Sequence, residues 1–96
     1  MKIVINKCYG RFGLSQKACQ MLDERGYQLD LTMNYRLRTN SSLIDIVEQL
    51  GDGANGLCSK LKIIEIPDNA TDWTICSDAG VESVVYVVNG IMYTTY

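Results

Sequence analysis

The stretch "VESVVYVVNGIMYTT", residues 81–95, limits the fold more than any other part of the chain. Asn89-Gly90 stands between two β-branched and aromatic runs, Val81–Val88 and Ile91–Thr95. A two-residue hairpin turn needs positive φ at both positions, and Asn and Gly accept it most readily. The stretch therefore predicts an antiparallel hairpin. Both faces of its first strand are largely apolar, with Val81, Val85 and Val87 on one and Val84, Tyr86 and Val88 on the other. A sheet covered by helices on one side needs only one apolar face. The second face is expected to meet a second copy of the chain, as a homodimer, or another layer such as the loop at 51–60.

The remaining elements follow from local pattern. Lys2–Cys8 is β-branched and apolar and reads as a strand. Ser15 suits the N-cap of a helix, with Leu14 and Cys19 spaced as a hydrophobic staple and Ala18, Cys19 and Leu22 on one face. Gly26 ends that helix, and Tyr27–Thr32 alternates with period two as a second strand. Asn40 or Ser41 caps a second helix, whose stripe is Leu43, Ile44, Val47 and Leu50 and which Gly51 stops. Residues 51–60 contain three glycines and read as a loop. Leu61–Ile66 is a strand ended by Pro67, and Trp73–Ser77 is a further strand. The sum is one α+β domain over 1–96: two helices packed on an antiparallel or mixed sheet of about five strands, closing with the Asn-Gly hairpin.

Composition narrows the function classes. No apolar run approaches the roughly 20 residues of a membrane span. The N-terminus lacks the apolar length of a signal peptide, so the expected location is the cytoplasm. Cys8, Cys19, Cys58 and Cys76 are then read as reduced, partly buried thiols. No histidine is present and no two cysteines have zinc-ligand spacing, so no metal is expected. Residues 1–40 carry seven Lys or Arg against three Asp or Glu, a balance of +4. Residues 41–96 carry two against eight, a balance of −6. That asymmetry does not suit general nucleic-acid binding, which uses a broad basic face, but it permits a local pocket for a small anion.

Catalysis is not expected. Hydrolytic nucleophiles are usually activated by histidine, and no other base is marked by its spacing to a cysteine. No phosphate-binding glycine motif of the G-x-x-x-x-G-K-[ST] or G-x-G-x-x-G type occurs, and no cofactor is implied.

The stretch "INKCYGRFGLS", residues 5–15, leaves two readings open. In one, a helix start and nearby cations hold a small anionic nucleotide: Lys7 and Arg11 on the turn, Tyr9 and Phe12 for stacking, and Tyr35, Arg36 and Arg38 from the start of the second helix. In the other, Gly10 and Gly13 form a tight strand-to-helix bend, Phe12 is core and the arginines are solvated.

The chain as a whole resembles a family of small phage and prophage proteins that open with KIVIN-x-CYGGFGLS. The resemblance runs from "KIVINKCYGRFGLS" through "LRTNSSLIDIVEQLG" and "KLKIIEIP" to "DAGVESV", with Arg11 where relatives usually have glycine. It implies a phage or mobile-element origin and no established catalytic residues. Two functions are compatible with such an origin. One is a counter-defence protein that sequesters a nucleotide-type immune signal. The other is a small inhibitor that binds a host or defence protein, as anti-CRISPR proteins do.

Overall fold

The computed structural model describes residues 1–10, 12–26, 38–57 and 59–95. Among them the order is β1 (Lys2–Asn6), α1 (Gln16–Glu24), α2 (Ser41–Leu50), a 3-10 turn (Gly51–Ala54), β2 (Leu61–Glu65), β3 (Asp72–Asp78), β4 (Val81–Val88) and β5 (Ile91–Thr95). The class is α+β, as the sequence predicts. The strand expected at Tyr27–Thr32 lies outside the described residues.

Each helix begins where a side chain takes up free backbone donors. Ser15 Oγ accepts from the Ala18 amide at 3.1 Å. Asn40 Oδ1 accepts from the Ser42 and Leu43 amides at 2.9 and 3.2 Å. Gly26 and Gly51 follow with φ of 78° and 55°, conformations that side-chain-bearing residues adopt at a cost. Along α2 the fully enclosed residues are Leu43, Ile46 and Val47, while Ile44 and Leu50 are half-buried. The stripe is therefore centred one position away from the predicted one.

The strands form two sheets rather than one. β1 pairs antiparallel with β2, with Ile3 opposite Ile64 and Val4 opposite Ile63. β3, β4 and β5 form a separate antiparallel meander. The reason lies in the pleat of the first pair. Successive side chains of a strand point to opposite faces, and β1 and β2 are apolar on both. Val4, Leu61 and Ile63 pack with Ala18, Leu22, Leu43, Ile46 and Val47 of the helices. Ile3, Ile5, Ile64 and Ile66 pack with Ile75 and Val84 of the meander. The β1–β2 pair is thus a middle layer between the helices and the three-stranded sheet. Each aliphatic side chain buried this way contributes about 1.5–3 kcal/mol relative to exposure.

This layering decides which face of β4 is covered. Val84 is fully buried against β1–β2, whereas Val81, Val85 and Val87 on the opposite face are only half-buried. The segment after α2 does not cover them. Ala54 joins the helical core, Asn55 bridges to Leu14, and Ser59 Oγ donates to the Gly13 carbonyl at 2.7 Å.

Candidate functional site

The bend at residues 6–15 is tied down at both ends. Asn6 is completely buried and every polar atom of its side chain is used. Its Nδ2 donates to the carbonyls of Cys8 (3.0 Å) and Gly80 (2.8 Å), and its Oδ1 accepts from the amides of Cys8 (3.2 Å) and Lys60 (2.9 Å). The Gly10 amide donates to the Ala79 carbonyl at 3.1 Å. Gly80 sits so close that an added Cβ would lie 1.7 Å from the Gly10 carbonyl oxygen. At the far end the Ser15 amide donates to the Ala54 carbonyl and the Gly56 amide to the Gly13 carbonyl. The glycines therefore serve close backbone approach, which is the bend reading of this stretch.

A buried ion pair lies under the bend. Arg38 Nη1 and Nη2 donate to Glu82 Oε1 and Oε2 at 2.6 and 2.9 Å, and Arg38 Nη1 also donates to the Val4 carbonyl at 3.2 Å. Glu82 Oε1 accepts further from the Asn6 amide at 2.7 Å. The guanidinium carbon stands 3.6 Å above the centre of the Phe12 ring. Two desolvated charges need further bonds from their surroundings, and here two strands, the bend and the segment before α2 all contribute, although Arg38 Nε is buried without a hydrogen-bond partner.

The residues expected at a nucleotide site separate into three groups. Arg11, Tyr35 and Arg36 lie outside the described residues. Arg38 and Phe12 meet, but face each other and Glu82 in the interior, and Lys7 Nζ donates to the Glu82 carbonyl at 3.1 Å. Tyr9 is exposed, at 77%. Among the described residues these side chains do not converge on a common cavity: Tyr9 alone lines the groove described next.

That groove, of about 330 Å³, runs between Tyr9 and the end of the β3–β4 hairpin, lined by Cys76, Ser77, Asp78, Val81, Glu82 and Ser83. The register pairs Cys76 with Ser83 and Asp78 with Val81, which puts these four on the face turned away from Ile75 and Val84. Ser77 and Glu82 have the opposite phase, so the groove lies at the β3–β4 turn, beside one end of the outer face of the meander. Thr74, Val85, Val87, Met92 and Thr94 continue that face, with Met92 70% exposed. Asp72 and Asp78 stand at its two ends on β3, and among the described residues no lysine or arginine lies on it. Cys8, Cys19 and Cys76 are free thiols; Cys8 and Cys19 are half-buried as expected, whereas Cys76 is exposed beside the groove. Cys58 lies outside the described residues. Among the described residues no three His, Cys, Asp or Glu side chains come together as metal ligands. No described helix is long and apolar enough to cross a membrane.

Three residues that organise this region escape a reading of motifs: Asn6, Glu82 and Asp78. For Glu82 a signal exists. It shares the alternation phase of Val84 and Tyr86, and a carboxylate on a core-facing position requires a buried partner. No family model, no curated protein and no solved structure matches this chain.

Proposed function

We propose that this chain is a non-catalytic interaction protein that binds another protein through the outer face of the β3–β4–β5 sheet. The observation that carries the reading is the composition of that face: an apolar centre of Val85, Val87 and Met92, carboxylates at both ends of β3, and, among the described residues, no cation. Contiguous apolar surface rimmed by polar groups is what protein interfaces present. The occupant follows from charge. A second copy would bring Asp72 and Asp78 against the same carboxylates, whereas a partner with a basic rim around an apolar patch would neutralise them. With the phage resemblance, the reading becomes an inhibitor that occupies a surface of a host or defence protein. The nucleotide-sequestering reading is weaker: Arg38 and Lys7 are engaged inside the chain, and the groove carries a carboxylate.

The test compares wild type with Val85→Lys, which places a cation in the centre of the face. A partner isolated on the wild type should be lost with Val85→Lys and kept with Lys17→Glu on α1, with both variants still folded and unfolding cooperatively. Retention by Val85→Lys removes the face as the site. A melting-temperature rise with cyclic or ADP-ribose-type nucleotides would move the function to the sequestering class, since a ligand of the native state stabilises it by mass action. A wild-type dimer dissolved by Val85→Lys would assign the face to a second copy.

A further inference from the structure

We infer that the groove between Tyr9 and the β3–β4 turn seats an arginine side chain of the protein partner. The inference rests on the reading of the outer face as the interaction surface and names the group that anchors it.

Three observations carry it. The first is the support under Tyr9. Tyr9 is 77% exposed, yet the backbone that bears it is held by the Asn6 side chain, by the Gly10–Ala79 hydrogen bond and by the side-chain-free contact of Gly80 with Gly10. A ring exposed on a fixed support loses little freedom when something stacks on it. None of these contacts uses the ring itself.

The second is the charge of the groove. Asp78 is exposed and its carboxylate has no ion pair or hydrogen bond among the described residues. Among the described residues no lysine or arginine lines the groove; beneath it Arg38 pairs with Glu82 through both Nη atoms, and Lys7 Nζ donates to the Glu82 carbonyl. The unpaired Asp78 carboxylate attracts a cation. Ser77 and Ser83 add hydroxyl oxygens that accept from N–H groups.

The third is shape. About 330 Å³ bounded by an aromatic ring and Val81 has room for a planar head and an aliphatic stem. Arginine meets all three features: its guanidinium stacks on an aromatic face, forms two parallel bonds to one carboxylate and carries an apolar stem. Lysine has no plane to stack. The site continues the outer face, so a partner that lays an apolar patch on Val85, Val87 and Met92 would present its arginine at the end of β3.

The experiment titrates ¹⁵N-labelled full chain with N-acetyl-arginine methylamide and, separately, with its citrulline counterpart and with guanosine. Arginine should give saturable shifts confined to Tyr9, Asp78, Val81 and Ser83. Citrulline, which keeps the shape but not the charge, should bind at least tenfold more weakly. Asp78→Asn and Tyr9→Ala should each abolish or weaken the response about tenfold while leaving the rest of the spectrum in place. Val85→Lys should leave the arginine response intact, which separates this proposal from that for the face. Absence of saturable shifts, an equal response to citrulline, a response unchanged by Asp78→Asn, or a preference for guanosine would each overturn it.

Discussion

Arg38 and Glu82, forty-four residues apart, face each other in a two-pronged ion pair with N–O distances of 2.6 and 2.9 Å, both side chains more than nine-tenths buried. The pair joins three layers of the fold. Arg38 precedes α2 and also bonds the Val4 carbonyl of β1, and Glu82 on β4 also receives the Asn6 amide. Losing one partner leaves an uncompensated charge in the interior, which costs about 3–5 kcal/mol. Glu82→Gln is therefore expected to lower unfolding free energy by that order in urea titrations. The double variant Arg38→Met/Glu82→Leu removes both charges and should recover most of the loss. If Glu82→Gln changes stability by less than about 1 kcal/mol, the pair does not organise the core.

Gly80 and Gly90 occupy equivalent places in two turns, at φ of 91° and 78°, after Ala79 and Asn89 at 53° and 52°. Their surroundings differ. An added Cβ at Gly90 meets nothing within 4 Å, whereas at Gly80 it would collide with the Gly10 backbone. Gly90→Ala should cost about 1–2 kcal/mol, the penalty of a left-handed conformation alone. Gly80→Ala should cost at least twice that and shift the amide resonances of Tyr9 and Gly10. Equal costs would show that the bend is not seated on the β3–β4 turn.

Those two turns also show where the sequence was readable. Asn89-Gly90 announced its hairpin because both residues favour positive φ. Asp78-Ala79-Gly80-Val81 makes the same turn with an alanine in the strained place, so the β3–β4 connection carried no signal. Helices α1 and α2 were legible through Ser15, Asn40, Gly26 and Gly51. The division into two sheets was not, because whether β1 pairs with the meander or stacks on it depends on contacts distant in sequence. The groove was half legible. The sequence marks Tyr9 as a stacking residue beside Gly10, but only the register of β3 on β4 brings Asp78 and Ser83 to it.

The helix caps give a local measurement. Ser15 Oγ and Asn40 Oδ1 accept from amides of the first turns of α1 and α2. Ser15→Ala and Asn40→Ala should each lower stability by about 1 kcal/mol without moving the ligand or partner response. Chemical denaturation of both variants provides the check. Asn40 serves two amides, so a smaller effect there than at Ser15 would contradict the geometry.

Lys2 on β1 and Glu48 on α2 meet at 2.8 Å. The hydrogen bond from Lys2 and the charge of Glu48 raise the Lys2 ammonium above its ordinary 10.5. A raised folded value means that the pair's contribution is whole below the unfolded value and fades as pH climbs through the folded one. Both side chains are about half exposed, so the effect on stability is small. An NMR titration should find Lys2 above 10.5 and returning toward it in Glu48→Gln. No change on that substitution would remove the link between β1 and α2.

Val85 and Tyr86 are neighbours on β4 that point to opposite faces, and this supplies the sharpest test of which face is free. Tyr86 stacks on Tyr93 with ring centres 5.4 Å apart and packs against the layer containing Ile3 and Ile64. Val85 faces outward opposite Thr74 and Thr94. Tyr86→Glu drives a carboxylate toward the core and should cost about 3 kcal/mol or more, or prevent folding. Val85→Glu should cost less, about 1 kcal/mol, because from this half-buried position the carboxylate can reach water. The two urea midpoints decide the orientation, and similar losses for both would mean that neither face is open. Light scattering on the same samples addresses the homodimer expected from the two apolar faces of β4. If the acid-ended face is kept for a basic partner, wild type and Val85→Glu should both have the mass of one chain. A wild-type dimer that Val85→Glu dissolves would instead show that two copies bury this face despite Asp72 and Asp78.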